Sequence, residues 1–142
     1  MNSEKEVLNA IYQNSKMGVE SINTIISKAN DSQIRDRMLE DKIAFDQIAN
    51  NASTLIFKEG GKPEEKNKFS KFTAEMSARM TVMNDNSPSK LAEMMMQGAS
   101  CGIVDITRVM NHAKSIKPEV NQLATNLLEQ EEKIFKDYRQ YL

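Results

Sequence analysis

The acidic residues and the single histidine are the groups with which this chain could hold metal ions. Two metal ions inside a helical bundle are usually held by a glutamate from each of two helices and by Glu-x-x-His from each of the other two, because positions three apart share one helix face. The corresponding segments here are Asp46-Gln47-Ile48-Ala49 and Glu131-Glu132-Lys133-Ile134. Ala49 and Ile134 therefore stand where the imidazoles should be, and His112 cannot serve two ions at the middle of a bundle. The sequence predicts a centre with neither metal nor cofactor.

A site made of carboxylates alone is the alternative, and it depends on which acids face the core. Asp41 falls on the apolar seam of the second helical segment, and Glu131 lies on the Leu128/Phe135 flank of the last one. A buried carboxylate is costly unless it is paired or bound to a metal. We expect Asp41 and Glu131 to lie at the edge of the core, hydrogen-bonded to Gln, Ser, Lys or water. Metal ligation is the alternative for both.

Cys101 is the one thiol of the chain, and it lies within a helical segment, between Gly98 and Gly102. A lone cysteine with no histidine nearby in sequence is usually a buried, inert thiol, so nucleophilic catalysis is not expected. Each glycine costs a helix roughly 1 kcal/mol. We expect Gly98 and Gly102 to allow another helix to pack closely, inside the bundle or across a dimer, with a small-molecule niche as the alternative.

Methionine is abundant, with ten residues in all, and three of them follow one helical face. Met76, Met80 and Met83 could offer thioethers to a soft ion such as Cu(I). Flexible methionines more commonly fill an irregular core or form an adaptable contact surface, and we favour that interpretation. With Phe69 and Phe72 they form an apolar stripe that is expected to contribute to self-association.

The composition excludes several classes of function. A net charge of −1 with 27% charged residues leaves no basic excess for binding nucleic acid. No apolar run approaches the roughly 18 residues that span a bilayer. The first residues lack the basic and apolar regions of a secretion signal. One cysteine rules out an internal disulfide and fits a reducing cytoplasm, which is the expected location.

The predicted helix caps are Ser3, Asp31 or Asn30, and Ser87. Gly60-Gly61 is expected to end the second helix, and Pro63-Glu64 to open a shorter one. These residues divide the chain into four long amphipathic segments and a shorter one. The predicted helices cover residues 4–29, 31–59, 88–114 and 118–141, with an additional helix over 64–84. Each long helix would measure about 38 Å, which suits one bundle formed by residues 1–142 as a single domain. Residues 62–86 are long enough to return the chain along the bundle, so that helices two and three run parallel. A plain up-and-down array of five helices is the alternative.

Helix three also carries a resemblance to known proteins. The run Leu91–Ile106 contains Ala92-Glu93-Met94-Met95-Met96-Gln97-Gly98, followed by a glycine and an aliphatic-rich turn. Together with Met17–Ile22 and Glu131-Glu132, this run resembles a group of uncharacterised bacterial ferritin-like four-helix-bundle proteins. The resemblance covers nearly all of the chain, and it implies a ferritin-like fold and no established activity. The fold class expected is thus an all-α, ferritin-like four-helix bundle with an additional short helix in the crossover.

The function expected from these features is that of a non-enzymatic structural or interaction module. We expect a homodimer, with residues 69–83 or the Gly98/Gly102 stripe at its interface. A divergent metal-binding bundle with an oxygen-rich centre around Asp41 and Glu131 is the second class. A spore- or envelope-associated coat protein is a third, by analogy of fold alone.

Overall fold

The computed structural model of the chain describes residues 3–65 and 67–142, and the described part is helical without β-strands. It contains five α-helices, and a short 3₁₀-helix over Tyr138–Tyr141 follows the last of them. The α-helices are α1 (Glu4–Ile26), α2 (Ser32–Lys58), α3 (Ser70–Val82), α4 (Pro88–Asn111) and α5 (Pro118–Asp137).

Side-chain caps start three of these helices, at the positions that the sequence predicts. Ser3 Oγ accepts the Glu6 N–H at 3.3 Å. Asp31 Oδ1 accepts the Ile34 N–H at 3.0 Å, and Ser87 Oγ accepts the Lys90 N–H at 3.2 Å. Each cap satisfies one of the backbone donors that the first helical turn leaves without a partner.

Glycine ends α2 as predicted. Gly60 has φ +85°, a backbone conformation that glycine adopts without steric cost. The Gly60 N–H donates to the Phe57 carbonyl and the Gly61 N–H to the Ile56 carbonyl, both at 3.0 Å. This pair of bonds is the Schellman motif, which satisfies the last carbonyls of the helix.

The other helix ends differ from prediction by a few residues. α1 ends at Ile26 and not at residue 29, α4 ends at Asn111 and not at 114, and α5 passes into the 3₁₀-helix after Asp137. Ser115, just after α4, has φ +56°, so the chain turns sharply before Pro118 opens α5.

The four long helices form a ring in which α1 and α5 lie diagonally opposite. Lys117, just before α5, forms salt bridges with Glu59 after α2 and with Glu4 at the start of α1, at 3.0 and 3.7 Å. At the opposite end, Asn86, just before α4, donates a hydrogen bond to the Lys28 carbonyl after α1. Hence α1 and α5 run in one direction and α2 and α4 in the other. The connection from α2 to α4 crosses the length of the bundle, as the length of this segment predicts.

The helix in this crossover is shorter than predicted, covering Ser70–Val82 and not 64–84. Pro63 and Glu64 were expected to open it, because proline suits the first helical position. Instead the Glu64 N–H donates to Asn9 Oδ1 of α1 at 3.0 Å. Lys66, which falls within the predicted helix, lies outside the described residues.

Asn67 fixes the start of α3. Its Nδ2 donates to the Gln13 carbonyl of α1 at 3.1 Å, and its Oδ1 accepts the Phe69 N–H at 2.7 Å. Polar side chains of α1 and Asn67 thus hold the first part of the crossover against α1. An asparagine side chain competes with the helical backbone in this way.

The apolar stripe of the crossover lies in the core and not on the surface. Phe69, Met76 and Met80 are buried, while Phe72 and Met83 are half-buried and pack against the same core. The expectation that this stripe forms a self-association surface therefore does not fit the structure. The long helices leave an apolar flank uncovered, and α3 closes it by packing against α1.

Close packing at glycine occurs at two positions. A β-carbon at Gly18 would lie 2.6 Å from Cδ2 of Phe45, so this glycine brings α1 and α2 together. A β-carbon at Gly102 would overlap Glu131 Oε1, so Gly102 packs against a side chain and not against a helix backbone. A β-carbon at Gly98 would meet no heavy atom within 4 Å, and the close packing expected there is not found.

Candidate functional site

Two groups of polar side chains lie inside the bundle, and the first surrounds Asp41 of α2. Asp41 is 2% exposed. Its Oδ2 accepts the Tyr138 hydroxyl at 2.8 Å, and its Oδ1 accepts Gln130 Nε2 at 2.9 Å. Lys133 Nζ adds a charge 3.8 Å from Oδ1. Burial raises the pKa of Asp41, and the bonds from Tyr138 and Gln130 counteract that rise.

Asp41 has the hydrogen bond from glutamine that was expected, but it lies within the core and not at its edge. Donors from α5 and the 3₁₀-helix occupy both carboxylate oxygens, so the charge of the group needs no metal to be stabilised. The same contacts link α2 to the end of α5, because Asp41 of α2 bonds to Gln130 near the end of α5 and to Tyr138 just after it.

The second group surrounds Glu131 of α5, which is 1% exposed. Its Oε1 has no hydrogen-bond partner among the residues that the structure describes. Burial raises the pKa of Glu131 well above its ordinary value, and the negative charges of Asp105 and Asp41 raise it further. Glu131 is therefore favoured in its neutral, protonated form.

Asn14 of α1 is the polar neighbour of this carboxyl group. Its Nδ2 donates to the Gly102 carbonyl at 3.0 Å and contacts Asp105 Oδ2 at 3.5 Å. Its Oδ1 is buried without a donor in the described structure and lies, like Glu131 Oε1, against the Cα of Gly102. A neutral Glu131 carries a proton that it can donate, whereas an ionised Glu131 leaves Oε1 and Asn14 Oδ1 without a donor.

The charge of Asp105 is balanced from the crossover. Lys68 Nζ lies 2.8 Å from Asp105 Oδ1 and also stands over the Phe69 ring, 5.4 Å from its centroid. This salt bridge joins the start of the crossover segment to α4 at the outer edge of the second polar group. Lys68 is itself exposed.

Cys101 lies beside this group and is half-buried. Burial raises the pKa of the Cys101 thiol, and the nearby carboxyl groups of Asp105 and Glu131 raise it further. The thiolate, which is the nucleophilic form, is therefore disfavoured. His112 is exposed at the end of α4, where its Nδ1 lies 2.8 Å from the Arg108 carbonyl oxygen.

A small cavity of about 10 Å³ lies at the middle of the bundle, beside Glu131. Its walls come from all four long helices and are mostly apolar, including Met17, Phe45, Gly98 and Ile134. That volume holds about one water molecule. The niche considered for Gly98 therefore exists, but it is too small for an organic ligand.

The interior does not assemble a metal centre within residues 3–65 and 67–142. No group of three or more His, Cys, Asp or Glu side chains is placed there to hold an ion. Asp41 and Glu131 belong to different polar groups, and the carboxylate of Asp105 forms a salt bridge with Lys68.

Sequence patterns did not point to Asn14, Asp105 or Lys68. A signal was present for Asn14, which follows Ile11 by three positions and precedes Gly18 by four, so it shares their inward face. Asp105 follows Gly102 by three positions in the same way. Lys68 gave no signal, because its contact depends on the path of an irregular segment.

The outer face of α2 has a different character. Leu39, Ile43 and Phe57 are 43%, 59% and 56% exposed. α2 packs against α1 and α5. By helical periodicity Ile43 lies nearly opposite the buried seam of α2, whereas Phe57 borders a groove that is also lined by α1 and by the first part of the crossover. We call them, together with the neighbouring Glu40 and Lys58, the α2 outer face.

Comparisons with known proteins identify the fold. No family model and no curated protein matches the chain. The solved structures include a similar one, the crystal structure of a DUF305 fragment from Deinococcus radiodurans, with a TM-score of 0.77 and 11% sequence identity. The match covers 96% of this chain and 93% of that one. At this identity the likeness shows a shared all-helical fold, that of an uncharacterised domain. In the part that the structure describes, no helix is long and apolar enough to span a membrane.

Proposed function

We propose that the protein is a non-enzymatic helical bundle that acts through protein–protein contacts. The observation that carries the proposal is the α2 outer face, where three large apolar side chains are about half exposed on one side of one helix. Single exposed apolar residues are common on protein surfaces, whereas adjacent ones on one helix face, as Leu39 and Ile43 are, favour an interaction site.

The interior supports this proposal. Asp41 is held by Tyr138 and Gln130, and the Cys101 thiol is disfavoured as a nucleophile. Fully bonded polar groups of this kind specify how helices pack. A ferritin-like assignment of the bundle belongs to the same proposal, since α2 and α4 run parallel on either side of one long crossover. The proposed location is the cytoplasm, where a lone thiol stays reduced.

Site-specific photo-crosslinking in the producing cell tests the proposal. A photoreactive amino acid at position 43 should give covalent adducts with protein. The matched control is position 104, because Val104 is also an exposed apolar residue, 50% exposed, but lies on α4. The proposal fails if position 43 gives no adduct, or if both positions give the same adducts in equal amounts.

A divergent metal-binding protein is the second candidate, and one observation favours it. Glu131 Oε1 and Asn14 Oδ1 are buried oxygens without donors in the described structure, and such oxygens are ligands for hard cations. Elemental analysis of untagged protein, purified without chelators, separates the two candidates. The interaction proposal expects no stoichiometric metal. One equivalent per chain that is lost in Glu131→Ala or Asn14→Ala would support the second candidate.

A further inference from the structure

We propose that the partner of the α2 outer face is a second copy of this chain, whose α2 packs antiparallel to the first. The two-fold axis would pass level with residue 48, midway between Leu39 and Phe57. This inference rests on the proposed function, because it names the partner that the exposed face binds.

The spacing of the apolar residues suits such a pairing. Leu39 and Phe57 are 18 residues apart, which is five helical turns at 3.6 residues per turn, so they lie on one line about 27 Å apart. Ile43 lies about 40° from that line. When two α2 helices run antiparallel, Leu39 of each copy lies level with Phe57 of the other. One patch thus serves both partners, as a two-fold interface requires.

The charges beside this line determine the direction of the pairing. Glu40 and Lys58 each follow one of these apolar residues and are also 18 residues apart. Both are exposed, and neither has an ion-pair partner within 4.0 Å in the described structure. In an antiparallel pair with its axis at residue 48, Glu40 of each copy lies on the same side of the pair as Lys58 of the other, about 3 Å from it along the helix. In a parallel pair, the Glu40 and Lys58 side chains of the two copies would lie on opposite sides of the pair, so only the antiparallel arrangement brings opposite charges together.

The middle of the face is polar and suits the same axis. Asp46 and Asn50 are equally far from the level of residue 48, so Asp46 of one copy lies level with Asn50 of the other. A carboxylate can accept from an amide there. An interface with few apolar anchors and a polar middle is small, so we expect a reversible dimer that forms in the micromolar range.

Sedimentation velocity of the full chain, from low to high micromolar concentration, tests the pairing. Wild-type protein should pass from a monomer of 16.1 kDa to a dimer. Glu40→Lys and Lys58→Glu should each weaken association about tenfold, because each replaces two attractive contacts by two repulsive ones. The double variant Glu40→Lys/Lys58→Glu should restore the wild-type affinity. Ile43→Asp should abolish the dimer, and the matched control Val104→Asp should not.

A monomer at every concentration would overturn the pairing, and so would a double charge reversal that fails to restore association. The charge variants alter exposed side chains only, so the test does not depend on whether Ile43→Asp folds. If wild-type protein is monomeric and position 43 crosslinks to a different protein in the cell, this inference fails while the proposed function stands. If position 43 gives no adduct, the proposed function fails as well.

Discussion

Glu131 is a carboxyl group that is only 1% exposed, and its contribution to the stability of the fold depends on pH. Its ordinary pKa is 4.5, and the folded protein raises it. Between these two pKa values the folded protein holds a proton that the unfolded chain has released, so stability falls as the pH rises. The contribution of neutral Glu131 is fully present below pH 4.5 and is lost as the pH rises through the folded pKa.

We therefore expect Glu131→Gln to stabilise the protein above neutral pH. Glutamine removes the charge and keeps a donor for Asn14 Oδ1, so the gain at pH 8 should be about 1–3 kcal/mol, and it should vanish near pH 4.5. Urea unfolding of both proteins across this pH range measures the difference.

The matched control for this substitution is Glu20→Gln, since Glu20 is exposed on the same bundle. It should change stability little at any pH. A Glu131→Gln protein that is less stable than wild type at pH 8 would contradict a neutral Glu131.

Tyr138 and Asp41 should behave as a coupled pair. Tyr138→Phe leaves a buried carboxylate oxygen without its donor, so it should cost about 1–3 kcal/mol. In Asp41→Asn protein the same substitution should cost less, which a double-mutant cycle by chemical denaturation measures. Tyr141→Phe is the control, because it removes a tyrosine hydroxyl that accepts from Arg37 Nε at 3.3 Å and does not bond to Asp41. Tyr141 is half-buried. Additive costs for Tyr138 and Asp41 would mean that their hydrogen bond contributes little.

At this scale the sequence predicted part of the interior. The position of Asp41 on the seam of α2 predicted its burial, and Glu131 was singled out as the other acid near the core. Asn14 and Asp105 were missed, although each shares an inward helix face, because their contact spans α1 and α4. Only the fold brings these helices together, so the residue pattern of either helix does not contain the contact.

At the scale of the helices, replacing glycine by alanine should have opposite effects on stability at Gly18 of α1 and at Gly98 of α4. Gly18→Ala should destabilise the protein by about 1–3 kcal/mol, because the added methyl group would press on the Phe45 ring. Gly98→Ala should be neutral or stabilise by up to about 1 kcal/mol, because it meets open space and improves helix propensity. Thermal and urea unfolding measure both variants. Equal effects of the two substitutions would show that Phe45 gives way.

The helices were predictable where the signal was local. The caps at Ser3, Asp31 and Ser87 and the glycine stop at Gly60 each act within a few residues, and all are found at the predicted places. The predicted start of α3 was wrong because the Glu64 N–H bonds to Asn9 and the Asn67 side chain bonds to the Gln13 carbonyl. Asn9 and Gln13 lie in α1, about 50 positions earlier.

For the whole molecule, the division between core and surface follows from the place of α3. Because the crossover buries Phe69, Met76 and Met80, the core is closed on the side of α1, whereas the α2 outer face stays exposed. The sequence could not show whether the apolar side of α2 or that of α3 would be covered, since both helices are amphipathic. An apolar stripe does not indicate whether another helix packs against it.

The central claim is that the α2 outer face is where the protein binds a second copy of itself. Dilution of isotopically labelled protein, followed by the NMR amide signals, tests this claim most directly. Signals of Leu39, Ile43 and Phe57 should shift with concentration, while those of Met76 and Met80 in α3 should not. Signals that stay unchanged at every concentration, or that shift in α3 and not in α2, would contradict the claim.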